Sequence, residues 1–189
     1  DKKHYKKLAD QGQKPETMII SCCDSRVNPE AIFNSKPGKL FIFRNVANIV
    51  PKYEPGLSYE TTSTAIEFGV QSLKVKNIVV LGHEKCGGIK AALETKHKPL
   101  SEGDFVKKWT DLILPTKKTT LAKKPPDAIL QLELELASIR QSLKNLRTFP
   151  FIRDLEEQKK LSLHAAWFEI SRGKLWTMKP ENGDFLPIS

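Results

Sequence analysis

Long apolar runs are missing from this sequence: none is long enough to cross a bilayer, and none resembles a signal sequence. Cysteine is scarce, with three in 189 residues, and this odd number includes one adjacent pair. Such a pattern argues against the disulfide framework of a small secreted domain. We therefore expect a protein of a reducing compartment, the cytoplasm, with no membrane partner. Because the chain opens at Asp1 and not at methionine, the sequence leaves open whether a leader segment precedes it.

Acidic residues are outnumbered, with 22 Asp and Glu against 31 Lys and Arg, and the formal net charge is +9. A basic balance is compatible with nucleic acid or anionic lipid as a partner, or with a small anionic substrate. The lysines are scattered along the chain and have no interleaved aromatic residues. We interpret them as a solvated surface and expect no nucleic-acid partner.

Short apolar runs alternate with helical patterns along the first half of the chain. The runs predict strands at 17–21, 39–43 and 77–81, and helices are predicted from Asn28-Pro29, over 59–74 and over 89–94. A Pro- and Gly-punctuated loop is predicted over 44–58. Strands that alternate with helices indicate an α/β fold with a mostly parallel central β-sheet flanked by helices.

The second half of the chain has a different pattern. A strong helical period covers 127–147, and β-like segments follow at 161–170 and 174–178, joined by a turn at Arg172-Gly173. We expect these last strands either to extend the sheet antiparallel at one edge or to pair with a neighbouring subunit. The whole chain, 1–189, is predicted to be one domain, and the lysine-rich segment 95–126 is predicted to be a peripheral excursion.

All three cysteines lie in two polar clusters that directly follow predicted strands. The first cluster is Ser21 to Val27 and the second is Gly82 to Gly88. Open α/β sheets place their ligand sites at such strand ends. Two thiols and an imidazole from two strand ends form a three-ligand set for zinc, with the fourth position left open as in catalytic sites.

Side chains alternate in direction along an extended strand end, so Cys22 and Asp24 are expected on one side and Cys23 on the other. We therefore choose Cys22 as the metal ligand and expect Cys23 to be a small buried residue. The alternative is a buried thiol, a core imidazole and an unrelated surface pair of Asp24 and Arg26.

Three ordered motifs carry a resemblance to a known family. They are Cys-x-Asp-Ser-Arg at 22–26, Arg-Asn-Val-Ala-Asn at 44–48 and His-x-x-Cys-Gly-Gly at 83–88. Together they resemble the β-class carbonic anhydrases, and the similarity runs over most of the chain. The resemblance implies reversible hydration of carbon dioxide to bicarbonate by zinc-bound hydroxide. It implies one Zn²⁺ per subunit, held by Cys22, His83 and Cys86.

The resemblance also implies roles for seven further residues. Asp24 and Arg26 match the family's catalytic dyad. The substrate-binding positions matched in this sequence are Gln13, Phe41, Val46, Phe68 and Gly87. In the family, the position of Gln13 donates a hydrogen bond to bicarbonate, commonly across a subunit boundary. The resemblance also implies a homodimer or a dimer-based tetramer, since family members are built on dimers, with carbon dioxide and bicarbonate as the small-molecule partners.

Elementary chemistry agrees with this assignment. Two thiolates cancel the formal charge of Zn²⁺, so we expect Asp24 to assist as a hydrogen-bond acceptor that Arg26 keeps ionised. The competing role for Asp24 is direct coordination, which would close the site. Family members prone to the closed form usually carry tryptophan three residues before the first ligand, where this chain has Ile19. The hypothesis is an open, non-allosteric site.

Two rival functions remain at this point. One is another small-molecule hydrolase on the same zinc scaffold, acting for example on carbon disulfide. The other is a zinc-stabilised nucleic-acid-binding module, which the net charge of +9 motivates. That module would need a closed four-ligand site, completed by Asp24 or Cys23, and would bind nucleic acid in a salt-dependent way.

Overall fold

A six-stranded sheet organises the chain in the computed structural model, which describes residues 2–56 and 60–188. The strand order is β2-β1-β3-β4-β5-β6. The bounds are β1 Thr17–Cys22, β2 Leu40–Asn45, β3 Asn77–His83, β4 Ser162–Glu169, β5 Lys174–Met178 and β6 Phe185–Pro187. The first four strands pair in parallel, and β5 and β6 add to the sheet antiparallel.

Eight α-helices lie in the described residues. They are α1 Lys2–Gln11, α2 Pro29–Ile32, α3 Glu60–Glu67, α4 Gly87–Leu93, α5 Phe105–Thr110, α6 Leu114–Ala122, α7 Asp127–Leu146 and α8 Pro150–Glu157. A π-helical turn, Phe68–Ser72, continues α3, and 3-10 turns form at Val46–Asn48 and Asp111–Ile113. Among the described residues, no helix combines the length and the apolar character that a membrane span requires.

The central strands β1 and β3 are buried on both faces, as expected for parallel strands whose crossover helices cover them. One face of β1 and β3 contributes Met18, Ile20, Ile78 and Val80 to a core that α7 completes with Ile139, Leu143 and Leu146. The other face carries Ile19 and Leu81, which pack with Val27 and Ala166. The consecutive apolar residues of these strands therefore serve two separate cores.

The predicted α/β architecture with a mostly parallel sheet is confirmed, and β5 joins β4 antiparallel within the chain. Asn28 caps α2 as predicted, because its side chain accepts a hydrogen bond from the Ala31 N–H at 3.2 Å. The predicted helix start at Tyr59 lies outside the described residues. The sequence analysis did not predict α1, α8 or β6.

Three parallel strands run further than predicted, and the additional residues of β1 and β3 belong to the polar clusters. β1 continues to Cys22, which pairs with Asn45 at the end of β2, and β3 continues to His83, which pairs with Phe168 of β4. The hydrogen-bonded ladder holds these polar residues in strand geometry although the apolar pattern has ended. As a result, the sheet itself positions two of the expected ligands.

The segment 95–126 contains α5, α6 and a 3-10 turn, and it packs against α4 and α7. Trp109, Leu112 and Ile113 from this segment contact a core cluster that includes Cys22 and Cys86. The inner surface of the segment is therefore part of the surroundings of the expected ligands.

Gly82, in β3, allows α7 to approach the sheet closely. A Cβ atom at this position would lie 2.5 Å from Cδ1 and 2.8 Å from Cγ1 of Ile139, which is fully buried. Glycine at this position therefore sets the distance between the strand that carries His83 and the longest helix.

We predict that Gly82→Ala lowers the free energy of unfolding by about 1–3 kcal/mol, because the added methyl overpacks the β3–α7 contact. Ile139→Val alone should cost about 0.5–1.5 kcal/mol through the lost methylene. The double variant should cost less than the sum, since a valine side chain on α7 at that position lacks Cδ1, the nearer of the two conflicting atoms. Urea unfolding of all four proteins measures this coupling, and strict additivity would contradict the packing argument.

Candidate metal centre

Cys22, His83 and Cys86 come together at the carboxyl edge of the sheet. Cys22 ends β1, His83 ends β3, and Cys86 directly precedes α4. Their ligand atoms all lie within 4.8 Å of one another, and all three residues are buried. The Sγ atoms of Cys22 and Cys86 are 3.9 Å apart. The structure thus brings the three sequence-predicted ligands into one cluster.

The imidazole of His83 is oriented for a ligand. Its Nδ1 lies 2.9 Å from the backbone carbonyl of Glu84, so Nδ1 carries the proton and donates it to that oxygen. Its Nε2 is buried and has no hydrogen-bond partner among the described residues. A buried nitrogen lone pair without a donor is costly in a closed core, but it is what a metal ligand requires.

The dimensions of this cluster fit zinc. Tetrahedral coordination with Zn–S bonds of about 2.3 Å places two ligand sulfurs about 3.8 Å apart. The observed separation of 3.9 Å between the two Sγ atoms agrees with that value. Two sulfurs and one nitrogen also match the borderline-soft character of Zn²⁺. These residues can therefore hold one zinc ion with its fourth position free.

The two thiols contact each other through a hydrogen bond between their Sγ atoms. A hydrogen bond from Cys86 lowers the pKa of Cys22 against the opposing effect of burial, and the backbone N–H groups of Asp24 and Ala47 contribute. The same contact with Cys22, together with burial, raises the pKa of Cys86. One thiol of the pair therefore stabilises the thiolate of the other, and thiolate is the form of cysteine that binds metal.

Asp24 lies beside this cluster and forms a bidentate ion pair with Arg26. The guanidinium donates from Nε to Oδ1 at 2.9 Å and from Nη2 to Oδ2 at 2.7 Å, and the Arg26 backbone N–H donates to Oδ1 at 3.0 Å. These bonds hold the pKa of Asp24 well below its usual range. Oδ2 is 3.8 Å from Nε2 of His83, so the ionised carboxylate faces the ligands.

Arg44 holds the loop that carries Cys22 and Asp24. Its Nε donates to the carbonyl of Cys22 at 2.8 Å, and its Nη2 donates to the carbonyls of Asp24 and Val27 at 2.8 and 2.9 Å. The sequence analysis quoted Arg44 within a motif but assigned it no role. Its position at the end of β2, beside the end of β1, is a consequence of the sheet register.

Glu135 and Gln131, both on α7, hold the backbone of Cys86. The buried Glu135 carboxylate accepts hydrogen bonds from the Cys86 N–H at 2.9 Å and from Trp167 Nε1 at 3.1 Å. Gln131 donates to the Cys86 carbonyl at 3.1 Å and to Glu135 at 3.0 Å. Burial raises the pKa of Glu135, and these hydrogen bonds oppose that rise. The sequence analysis missed both residues, whose spacing of four along the helix was the available signal.

Comparison with known proteins identifies the family. The family model described as carbonic anhydrase matches residues 17–175. Over 176 residues, the chain is 39% identical to beta carbonic anhydrase 5, chloroplastic, of Arabidopsis thaliana; the match covers 89% of this chain and 55% of that relative. The chain thus spans little more than half the length of this curated relative.

Solved structures agree. The structure of the β-carbonic anhydrase CcaA aligns with a TM-score of 0.90 at 28% identity, covering 99% of this chain and 90% of that one. Tetrameric β-carbonic anhydrases from the ascomycete Sordaria macrospora align with a TM-score of 0.83 at 27% identity, covering 98% and 89%. The chain belongs to the β-carbonic anhydrase family.

The positions that the sequence analysis expected around the substrate are spread over a wider surface of this β-carbonic anhydrase. Val46 lines an open groove of about 780 Å³ together with Phe43, Phe105 and Trp109. Phe41 and Phe68 lie on an adjoining depression, with their ring centroids 5.9 Å apart.

The remaining two expected positions occupy open surroundings. Gln13 is exposed in the connection between α1 and β1. Gly87 begins α4, and the space that a Cβ atom would enter there is open. The grouping of Gln13, Phe41, Val46, Phe68 and Gly87 around one substrate stays a prediction.

One expectation about the cysteines is wrong. Cys23 was expected to be buried, but its side chain is exposed, whereas Cys22 and Cys86 are buried. The alternation of side chains along the strand is as expected. However, β1 ends at Cys22, so Cys23 lies just past the last residue that the ladder encloses.

We predict that Cys86→Ala abolishes zinc binding, because it removes one of three protein ligands and leaves an incomplete set. Cys23→Ala is the matched control: it changes an exposed thiol one residue from a ligand and should retain the wild-type zinc content. Metal analysis of purified proteins, with circular dichroism to confirm folding, measures both. Stoichiometric zinc in folded Cys86→Ala protein would contradict the assignment.

Proposed function

We propose that this chain is a zinc-dependent carbonic anhydrase that catalyses the reversible hydration of carbon dioxide to bicarbonate and a proton. The observation that carries the proposal is an open three-ligand set of Cys22, His83 and Cys86 with an ionised carboxylate facing it. One Zn²⁺ per subunit is the proposed cofactor. When bound, zinc supplies the Lewis acidity that lowers the pKa of a ligated water to about 7.

Asp24 is proposed to orient the attacking water. Its Oδ2 lies on the ligand side, 3.8 Å from Nε2 of His83, and its side chain is 16% exposed, so solvent can reach it. As an ionised carboxylate it can only accept hydrogen bonds, and a water beside it must direct a proton toward it. The oxygen lone pair of that water is then free to attack carbon dioxide.

Arg26 is proposed to keep Asp24 ionised and correctly aimed. It donates hydrogen bonds to both carboxylate oxygens of Asp24. Its Nη2 also donates to the carbonyl of Lys85 at 3.2 Å, and this bond connects the ion pair to the loop that carries Cys86. With both oxygens engaged by Arg26, Asp24 would have to give up charge-assisted bonds to coordinate metal. This pairing supports the open, non-allosteric form of the site.

The substrate is proposed to lie against the apolar residues Phe41, Val46 and Phe68, since carbon dioxide carries no charge. Gln13 and the backbone N–H near Gly87 are proposed to stabilise the charge that develops on the bicarbonate oxygens. The open space above Gly87 supports the approach of a ligand to the start of α4.

We also propose a cytoplasmic location, supported by three cysteines without disulfides.

We predict that Asp24→Asn retains zinc and lowers the rate of carbon dioxide hydration by about 10²–10⁴-fold, the range for loss of a positioned acid–base group. The matched control is Asp104→Asn, which alters an aspartate paired with His97 at 2.8 Å in the segment 95–126. Stopped-flow hydration with a pH indicator measures both, and the control should keep the wild-type rate.

Two outcomes would contradict this proposal. Wild-type zinc protein without hydration activity would refute the function, and assay with carbon disulfide would then test the rival hydrolase. Asp24→Asn protein with wild-type activity would leave the zinc site intact but refute the role of the carboxylate.

We further propose a homodimer, or a tetramer built from dimers, that covers the β2–α3 face. This face consists of Val46, Phe68 and Phe105, which are 40%, 45% and 75% exposed, and the half-buried Phe41 and Phe43. β2 is an edge strand, and a contiguous apolar surface at a sheet edge favours association. The Sordaria macrospora relatives described as tetrameric also support the proposal.

We predict that Phe68→Glu converts the oligomer to monomers, because a buried interface would have to enclose an unpaired charge. Ile129→Glu is the control: Ile129 is 41% exposed on α7, a helix that contributes no residue to the β2–α3 face as defined above. Light scattering after size-exclusion chromatography gives the masses. A wild-type monomer, or a Phe68→Glu oligomer of unchanged mass, would refute the proposed interface.

A further inference from the structure

One peptide group links Trp109 to the ligand Cys22. The indole Nε1 of Trp109 donates to the carbonyl oxygen of Val46 at 2.7 Å. The N–H of Ala47 donates to Sγ of Cys22 at 3.3 Å. That carbonyl and that N–H belong to the same planar peptide unit. The indole, the peptide and the sulfur therefore form a single chain of hydrogen bonds.

The turn that contains this peptide is held in an unusual conformation. Ala47 is fully buried with φ 63° and ψ 21°, a left-handed conformation that is uncommon for a residue with a side chain. Asn45 closes the turn, because its side chain accepts from the Ile49 N–H at 3.0 Å and donates to the Ile49 carbonyl at 2.9 Å. The conformation thus depends on specific side-chain contacts.

Helix α4 packs directly on the same turn. A Cβ atom on Gly88 would lie 2.8 Å from Cγ1 of Val46 and 2.9 Å from Cβ of Ala47. The peptide between Val46 and Ala47 is therefore confined on the α4 side, and Trp109 binds its carbonyl from α5. Trp109 also packs against the core cluster that includes Cys22, Ala47 and Cys86.

We propose that Trp109 is a positioning residue of the metal centre. Its indole N–H orients and polarises the Val46–Ala47 peptide, and this peptide in turn donates a stronger N–H···S hydrogen bond to Cys22. Hydrogen bonds in a chain strengthen one another, and donors to a ligand sulfur reduce the electron density that it gives to the metal. The inference rests on the proposed function, because Cys22 must be a metal ligand.

Cobalt(II) in place of zinc provides a direct readout, because cysteine sulfur bound to cobalt gives a charge-transfer absorption band. Trp109→Phe removes the indole N–H and keeps an aromatic ring. We expect this variant to bind one cobalt per chain with the band moved to longer wavelength, since a sulfur with a weaker hydrogen bond gives up an electron more readily. A purely structural role for the ring would leave the band of the folded, loaded protein unmoved.

Trp176→Phe is the matched control. Trp176 also donates its indole N–H, to Glu169 Oε2 at 3.1 Å, but it lies on β5, and no chain of hydrogen bonds within the described residues connects it to Cys22. The control should keep the wild-type band. An unmoved band in Trp109→Phe, or an equal shift in both variants, would overturn the inference.

Failure of the metal assignment is distinguishable from failure of this inference. Wild-type protein without a sulfur-to-cobalt band would refute Cys22 as a ligand, and with it the proposed function and this inference. If Trp109→Phe does not fold, a tryptophan analogue with sulfur in place of the indole N–H, placed at position 109 alone, decides by the same criterion. It keeps the ring shape and removes only the donor.

Discussion

The parallel register of β1, β2 and β3 is the constraint on which the site depends. Ser21 pairs with Leu81, and Cys22 pairs with Asn45, so the carboxyl ends of three strands reach the same edge together. Cys22, His83 and the Arg44–Asn45 pair leave the sheet side by side as a result. A shift of one residue in either ladder would turn these side chains to the opposite face. The same pairing that buries the apolar residues therefore also assembles the ligands.

The loops beyond the strand ends are held by side chains that bind backbone groups. Arg44 donates hydrogen bonds to three carbonyls of the Cys22 loop. Glu135 accepts from the backbone N–H of Cys86, and Gln131 donates to its carbonyl. Buried backbone groups need such partners, and rigid partners also limit movement of the ligands. Ala47, which donates to Cys22, and Lys85, which precedes Cys86, both have left-handed backbone conformations that are uncommon for residues with a side chain.

Much of the fold and the centre of the site could be predicted from local pattern. Apolar runs located β1, β2 and β3, and the helical period located α7 to within one residue at its end. The polar clusters identified Cys22, His83 and Cys86, because two thiols and an imidazole at neighbouring strand ends form a donor set that suits zinc. Strand ends were misjudged for a physical reason: the ladder continues into polar residues that carry no apolar signal. The exposure of Cys23 was misjudged because it depends on where that ladder stops.

By itself, the sequence determined the chemistry available to this protein. Three features are local in the sequence and can be predicted from it directly. They are the donor atoms, the Asp24–Arg26 pair two residues apart and the alternation of strands with helices. Only the tertiary structure decided which distant groups support them. Arg44, Glu135 and Trp109 lie 22, 49 and 63 residues from Cys22, Cys86 and Val46, whose backbone groups they bind, and these separations carry no periodicity. Their roles arise because the sheet register and the packing of α5 and α7 bring hydrogen-bond donors and acceptors together across the chain.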